Sequence, residues 1–434
     1  MLSVKEAQEK VLSSANRRIL KKVPILSSLS LILAQDVVSN DDIPMYDNSA
    51  VDGYAVRAED VKGADRGYPV RLKLFKKDIP AGSVSDFRIE LGHCVSIMTG
   101  APIPSGCDCV VMKEDTEVEN GEVLVYREVS AGENIRYRGE DIKKGDIVLP
   151  KGKKIYPADI GVMASIGVSE VLVYYPPTVG IITTGSELIE VSEKLEVGKV
   201  RDSNSYSLAS QIKEINVPYV RFGIVMDEKK VIKNKILEAL AMCDILLLTG
   251  GVSVGEYDYV KEILDEIGAN LIFWRVNQKP GKPLAFWTFK NKSTSKRKLE
   301  SLKSESKLEG SDSKLETDEK FIFGLPGNPV SVMVCFEMYV RPLVSKIMGY
   351  ERLFRNSVVA QALHDFKHKE GRTEFVRVAV EKRDKQYFFK STGMQGSGIL
   401  TSMSRANGIA VFPENVGDVR EGCEAEVYLI RDEI

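Results

Sequence analysis

A chain of 434 residues, 43% of them hydrophobic, has material for two to four domains that each bury a core. Its 60 basic and 62 acidic side chains leave a formal charge of -2, which excludes a global field drawing the protein to nucleic acid or to a membrane surface, so any anion site must be local. No apolar run approaches the roughly 20 residues that cross a bilayer, the amino terminus is too polar for a secretory signal, and six dispersed cysteines imply no disulfide framework; a cytoplasmic protein is expected.

In chain order, residues 4–10 and onward pattern as a helix, followed by an amphipathic segment through Leu31-Ile32-Leu33-Ala34. Short alternating runs such as Val70-Arg71-Leu72-Lys73-Leu74 and Glu122-Val123-Leu124-Val125-Tyr126, punctuated by Gly and Pro, then predict a β-rich insert over 46–137. Residues 151–164 return to a helix-forming pattern, so 1–45 and 138–174 are expected to form one domain that the insert interrupts. Over 175–348, strands at 179–183, 220–225, 244–249, around Phe286 and at 321–325 alternate with helices at 205–215, 231–242 and 329–348. Strands this apolar along their whole length are buried on both faces, which predicts a parallel sheet covered by helices. The stretch 291–320, almost wholly Ser, Lys, Glu, Leu and Asp, cannot offset its ordering entropy and is expected to project as a disordered loop or a frayed helix. Alternating runs such as Glu374-Phe375-Val376-Arg377-Val378 predict a small C-terminal β domain, barrel or sandwich, over 349–434. The expected fold class is multidomain α/β and β: a central parallel α/β domain, a β-rich insert, a small mixed domain and a barrel-like C-terminal domain.

The clearest candidate site is Thr249-Gly250-Gly251-Val252-Ser253-Val254-Gly255, with Asp258 just beyond it. A buried strand runs into paired glycines and then a helix, so backbone N–H groups converge on an anion at the carboxyl edge of the sheet. Paired glycines also serve merely to turn a chain, and what favours a ligand is recurrence. Ile182-Thr183-Thr184-Gly185-Ser186-Glu187 has the same form. Gly324-Leu325-Pro326-Gly327-Asn328-Pro329-Val330-Ser331 is a third strand end, with Pro329 suited to the first turn of a helix. Three such turns at one sheet edge predict a shared crevice for a phosphate-bearing ligand. Lys279-Pro280-Gly281-Lys282-Pro283 adds two cations on a stiffened segment. Glu187, Asp227 and Asp258 carry the hard oxygen ligands that Mg²⁺ takes, against a competing reading of each as a solvated helix cap.

Histidine and cysteine offer less. Of three histidines, His364 and His368 have the spacing of a zinc-binding helix, but Asp365, Lys367, Lys369 and Glu370 mark a charged surface segment instead. Cys107 and Cys109 lack further His or Cys neighbours in sequence and read as buried strand thiols. In the insert, Asp47-Asn48-Ser49-Ala50-Val51-Asp52-Gly53-Tyr54-Ala55 and Ile97-Met98-Thr99-Gly100-Ala101-Pro102 set polar groups beside glycines, and by themselves need be no more than tight turns.

Taken together and in order, the strings at 48–55, 98–102, Arg138-Gly139-Glu140-Asp141, 184–188, Arg201-Asp202-Ser203-Asn204, 250–255, 279–283 and 326–331 closely resemble the signatures of the molybdopterin molybdenumtransferase (MoeA) family, which includes the C-terminal domain of gephyrin. The resemblance covers the chain except 291–320. Val51 stands where the family commonly has Met, and Cys107 and Cys109 where it commonly has small residues; neither change removes a polar group. The resemblance implies an enzyme, a transferase that inserts molybdate (or tungstate, a tetrahedral dianion of nearly the same size) into adenylylated molybdopterin and releases AMP. It implies that Thr249, Gly250, Gly251, Ser253 and Gly255 hold the pterin phosphate, with Asp202, Ser203, Asn204, Pro326, Gly327, Asn328 and Ser331 completing the substrate site. Glu187, Asp227 and Asp258 would position Mg²⁺ or activate water, and Lys279, Lys282, Ser253 and Ser331 would receive the oxyanion. It further implies a homodimer with a composite site, in which the insert of one subunit, carrying Asp52, Thr99 and Asp141, faces the parallel-sheet domain of the other.

Overall fold

Every residue of the strands Val179–Thr184 (β1) and Ile245–Thr249 (β3) is buried, as strands covered on both faces require. They lie in a six-stranded sheet with Tyr219–Val225 (β2), Asn270–Trp274 (β4), Ala285–Lys290 (β5) and Glu319–Leu325 (β6), in the order β2-β1-β3-β6-β5-β4. This computed structural model describes residues 1–15, 18–250, 259–290 and 319–431. The first four strands of the sheet are parallel, as their apolar runs predict. β5 runs antiparallel to both its neighbours, β6 and β4. The reason is local: only 275–284 separate β4 from β5, too short a connection for the helical crossover that parallel neighbours need. Residues 319 and 320, expected within the disordered insert, instead begin β6 by pairing with Lys290 and Phe289; 291–318 lie outside the described residues.

Helices Asn204–Glu214 (α2), Lys229–Met242 (α3) and Tyr259–Glu266 (α4) accompany the sheet, and the amino-terminal helix Val4–Ser14 (α1) opens on a capping box in which Ser3 and Glu6 bond each other's backbone N–H. The helix expected over 329–348 runs from 329 to 347 with a π turn inside it: Pro329–Cys335 (α5), the π turn Phe336–Val340, and Arg341–Ile347 (α6). Pro342 accounts for the π turn, because it has no N–H for the Met338 carbonyl one turn back and its ring crowds that oxygen. The Gln8 side chain of α1 donates to the freed carbonyl instead, at 3.2 Å, and Lys346 Nζ donates to Leu12 O at 2.7 Å. The π turn also buries Glu337, whose carboxylate accepts from Arg355 Nε at 2.7 Å and from Gln211 Nε2 of α2 at 2.9 Å.

Met1–Lys21 and Val173–Ile434 form one compact unit and Lys22–Leu172 a second. In the first unit the C-terminal strands close on themselves: Thr373–Arg383 pairs with both Gln386–Ser391 and Gly408–Phe412, and Ser357–Ala362 and Glu424–Leu429 complete the circuit around Phe366, Phe389 and Phe412. The charged residues Asp365, Lys367, Lys369 and Glu370 are exposed as expected, but His368 among them is not. The backbone is not helical at 364–368, and the His368 ring is buried with Nδ1 at 2.7 Å from Val416 O and Nε2 at 3.1 Å from Arg372 O, so both nitrogens face carbonyls rather than a metal.

The second unit is β-rich. Its six-stranded sheet runs Cys109–Met112, Gly53–Val56, His93–Ile97, Val70–Leu74, Glu122–Val125, Thr116–Glu119. The expected segment at 31–34 is a short buried strand, Ile32–Leu33, and the helix expected over 151–164 is Pro157–Ser165, set by Pro157 at its first turn. Burial pushes the thiols of Cys94 and Cys107 up to about 12, so they stay protonated and are poor metal ligands. No helix among the described residues is long and apolar enough to cross a membrane.

Glu337→Leu leaves the Arg355 guanidinium buried with only the half-exposed Glu214 beside it. The variant should lose about 3 kcal/mol of stability, read as a lower urea midpoint; an unchanged midpoint would show that this pair does not hold α2 to the π turn.

Candidate functional site

The register of the parallel strands decides which residues can share a site. Thr183 lies opposite Thr249, Thr249 opposite Leu325, and Thr184 opposite Val225. The turns that begin at Gly185, Met226, Gly250 and Pro326 therefore leave the sheet at one edge, the carboxyl edge where ligands of open α/β sheets bind.

Asn204 draws two of these turns together. Ahead of it, the buried carboxylate of Asp202 caps α2 by accepting from Ser205 N at 3.0 Å and Ser205 Oγ at 2.5 Å, and Arg221 Nε donates to the same hydroxyl at 3.1 Å. So anchored, the Asn204 amide donates to Gly327 O at 2.7 Å and to Thr249 Oγ1 at 3.3 Å. Because Gly327 offers only a carbonyl, the NH₂ must face it and Oδ1 must face away. Asn204 Oδ1 and the hydroxyls of Thr183 and Thr184 are all buried without a hydrogen-bond partner among the described residues. Buried polar atoms left unpaired cost about 1–3 kcal/mol each, and such atoms near the carboxyl end of the sheet are what a polar ligand would satisfy. Gly250, at φ +85°, lies against Thr184 so closely that a Cβ would strike its carbonyl, so only glycine fits. Gly251, Ser253, Gly255 and Asp258 lie outside the described residues.

Two of the three predicted metal ligands also meet. The Glu187 carboxylate folds back over Gly185, where a Cβ would stand 2.8 Å from both its oxygens. Asp227, at the end of β2, has its carboxyl raised above the usual range first by desolvation and then by the charge of Glu187, while the Ser186 N–H works in the other direction. Among the described residues, no group of three His, Cys, Asp or Glu side chains is arranged to hold a metal. Of the remaining residues, Ser331 and Pro326 are buried, Ser203 is half-buried just ahead of α2, and Asn328 is exposed just ahead of α5.

The lysine turn is tied to the C-terminal sheet. Gln278–Lys279 adds as a parallel strand to Thr373–Glu374 of the C-terminal sheet, and Lys279 Nζ pairs with Glu374 Oε1 at 2.8 Å; Lys282 is exposed. Lys279 lines a cavity of about 530 Å³ with Lys367, Lys369 and Arg372 and with the carboxylates of Glu370, Glu374 and Asp418, the last paired with Lys367. Sequence reading passed over these three cations because they look like a solvated run, and only the strand pairing that brings Lys279 beside them gives them a focus.

In the second unit, Asp52 and Thr99 meet: Asp52 Oδ1 accepts from Thr99 N at 2.7 Å and from Thr99 Oγ1 at 2.8 Å. These bonds, chiefly the backbone one, hold the Asp52 carboxyl below its usual range, with Lys113 helping. The flanking turns interlock, Gly100 N donating to Ser49 O at 2.8 Å and Ser49 N to Ala101 O at 3.0 Å. Asp141 is exposed, its N–H bonded to Ile43 O at 3.0 Å, on a loop whose Arg138 Nε donates to Asp42 at 2.6 Å.

Three family models match this chain in succession: the MoeA N-terminal region (domain I and II) at residues 2–167, a probable molybdopterin binding domain at 180–346, and the MoeA C-terminal region (domain IV) at 359–430. The chain is 35% identical over 384 residues to the molybdopterin molybdenumtransferase of Nostoc sp., which covers 88% of this chain and 82% of that protein. It belongs to the molybdopterin molybdenumtransferase family. The Staphylococcus epidermidis enzyme of the same name is 33% identical over 430 residues, 99% of this chain and 95% of that one. Two solved structures of the molybdopterin biosynthesis MoeA protein from Pyrococcus horikoshii match with TM-scores of 0.79 and 0.72 at 29% and 30% identity, over 99% of this chain and 99% and 100% of those. As a member of the molybdopterin molybdenumtransferase family, the protein is a transferase of molybdenum cofactor biosynthesis. The strand-end crevice falls within the match to the probable molybdopterin binding domain.

The Asp52 contacts have a measurable consequence. A carboxyl held low contributes stability that is present above its unfolded pKa and is lost as pH falls through the lowered folded value. Thr99→Val removes the side-chain donor and keeps the backbone one, so the Asp52 titration followed by carbon-detected NMR should move up toward the ordinary carboxylate range. A titration that does not move would show that the hydroxyl contributes nothing.

Proposed function

We propose that this transferase inserts molybdate, or tungstate, into adenylylated molybdopterin with release of AMP, as a cytoplasmic, Mg²⁺-dependent homodimer. The observation that carries the reading is the Asn204 amide binding the Thr249 and Gly327 turns together at the sheet end where Asn204 Oδ1 and the Thr183 and Thr184 hydroxyls are buried without a partner among the described residues. A phosphate-bearing substrate seated there would meet the hydroxyls and N–H groups of the strand ends, and donors fixed in advance need little reorganisation when charge develops. Gly250, Thr249, Asn204 and Gly327 would form the part of the phosphate seat among the described residues, with Gly251, Ser253 and Gly255 supplying the rest of the turn.

Glu187 and Asp227 are oxygen donors close enough to feel each other's charge, the donor set that suits Mg²⁺, and Asp258 would join them. When bound there, the ion would neutralise phosphate charge and acidify a water. Asp227, already raised toward the protonated form, is suited to accept the proton of a water attacking the phosphoanhydride; a new P–O bond to that water forms as the bond to the bridging oxygen breaks and AMP leaves. Lys279, with Lys367, Lys369 and Arg372 around the same cavity, would receive the molybdate oxyanion, with Lys282, Ser253 and Ser331 as further contacts. Asp52, Thr99 and Asp141 would complete the site from the second subunit of the dimer.

The purified protein should release AMP from adenylylated molybdopterin only when molybdate is added, and should consume no ATP with molybdopterin. Glu187→Gln should cut the rate by about 100-fold or more, the scale of losing a charge that orients the reacting groups. Release that ignores molybdate, or ATP consumption in its place, would overturn the proposal.

A further inference from the structure

The turn Lys279-Pro280-Gly281-Lys282-Pro283 is held at its ends by backbone bonds: Gln278–Lys279 by strand pairing with Thr373–Glu374, and Lys282 O by Val276 N at 3.1 Å. At its centre it rests on a side chain. Gln278 is fully buried, and its Nε2 lies 3.2 Å from Pro280 O, 3.3 Å from Gly281 O and 3.6 Å from Cys335 Sγ. The other end of the same amide, Oε1, accepts from the Tyr339 hydroxyl. That bond leaves the NH₂ no orientation except toward the turn. Gly281, at φ +94°, sits so tightly on this support that a Cβ would come within 2.6 Å of Gln278 Nε2 and 2.7 Å of Cys335 Sγ. Burial drives the Tyr339 hydroxyl well above its ordinary range, with Cys335 adding to the effect, so it remains a donor.

We infer that Gln278 and Tyr339 are positioning residues for the oxyanion-binding turn, fixing where Lys279 and Lys282 stand before the oxyanion arrives. The inference rests on the proposed role of that turn. Two cations on one five-residue turn repel each other, and a flexible turn would let them splay into solvent. A turn seated on a buried amide holds them together without paying that ordering entropy at binding. Tyr339 belongs to the π turn whose other buried polar residue, Glu337, bonds Gln211 of α2. One irregular helical turn thus supports both the lysine turn and the helix that begins with Asn204.

The test is the dependence of AMP release on molybdate concentration, together with the rate at which Lys279 and Lys282 are acetylated, read by mass spectrometry. Tyr339→Phe removes one oxygen; it should raise KM for molybdate about tenfold, the size of one net hydrogen bond, leave kcat within about twofold, and alter the lysine acetylation rates. Gln278→Leu should do the same, and the double variant should add nothing to Gln278→Leu, because both act through one contact. If Gln278→Leu does not fold, Tyr339→Phe carries the test. Variants that lower only the melting temperature, with KM and acetylation unchanged, overturn the inference. Lys279→Ala separates the two readings: if it leaves the molybdate dependence untouched, the oxyanion role of the turn fails, whereas a raised KM in Lys279→Ala beside an unmoved KM in Tyr339→Phe contradicts the positioning role alone.

Discussion

The arrangement of this site depends on one side-chain amide. Parallel register brings several strand ends to the same level, but register alone leaves their turns independent of one another. Asn204 joins the Thr249 and Gly327 turns because Asp202 and Ser205 fix the start of α2 at that edge. Its geometry forces Oδ1 away from Gly327, and with the Thr183 and Thr184 hydroxyls it leaves polar atoms buried without a partner among the described residues at the end of an apolar sheet. A fold tolerates such a cost where a ligand later meets it.

The same logic, polar groups buried to hold something elsewhere, recurs across the larger unit. Pro342 widens a helix into a π turn that buries Glu337 and Tyr339, and each of those reaches an element that carries candidate site residues. The apolar sheet supplies stability through continuous burial of β1 and β3, while these few hydrogen bonds set where chemistry can occur. The division matches ordinary energetics, since a buried hydrogen bond contributes about 1 kcal/mol net but is costly to leave unmade.

Much of this was legible in the sequence because it is local. Apolar runs announced β1, β3 and β6, glycine and proline at their ends announced the turns, and the alternating runs announced both β-rich regions. The resemblance implied a shared role for Asp52 and Thr99 but not their contact, since 47 residues separate them and no periodicity links them. What could not be read is non-local. The antiparallel run of β4 and β5 follows from a connection length that matters only once both strands are placed. Arg372 gains meaning from the pairing of Gln278–Lys279 with Thr373–Glu374, and His368 is buried by carbonyls that sequence spacing does not reveal. Gln278 and Tyr339 are 61 residues apart and look unremarkable in composition; only the seating of Gly281 on that amide marks them.

The central claim is that the crevice organised by Asn204 seats the phosphate-bearing substrate. Its most direct test is the affinity of adenylylated molybdopterin for the wild-type protein and for Asn204→Ala, measured by calorimetry on samples with matched circular dichroism. Loss of the amide should free the two turns and weaken binding by about 10- to 100-fold, the range expected for one buried polar anchor. Equal affinity in the two proteins would contradict the account.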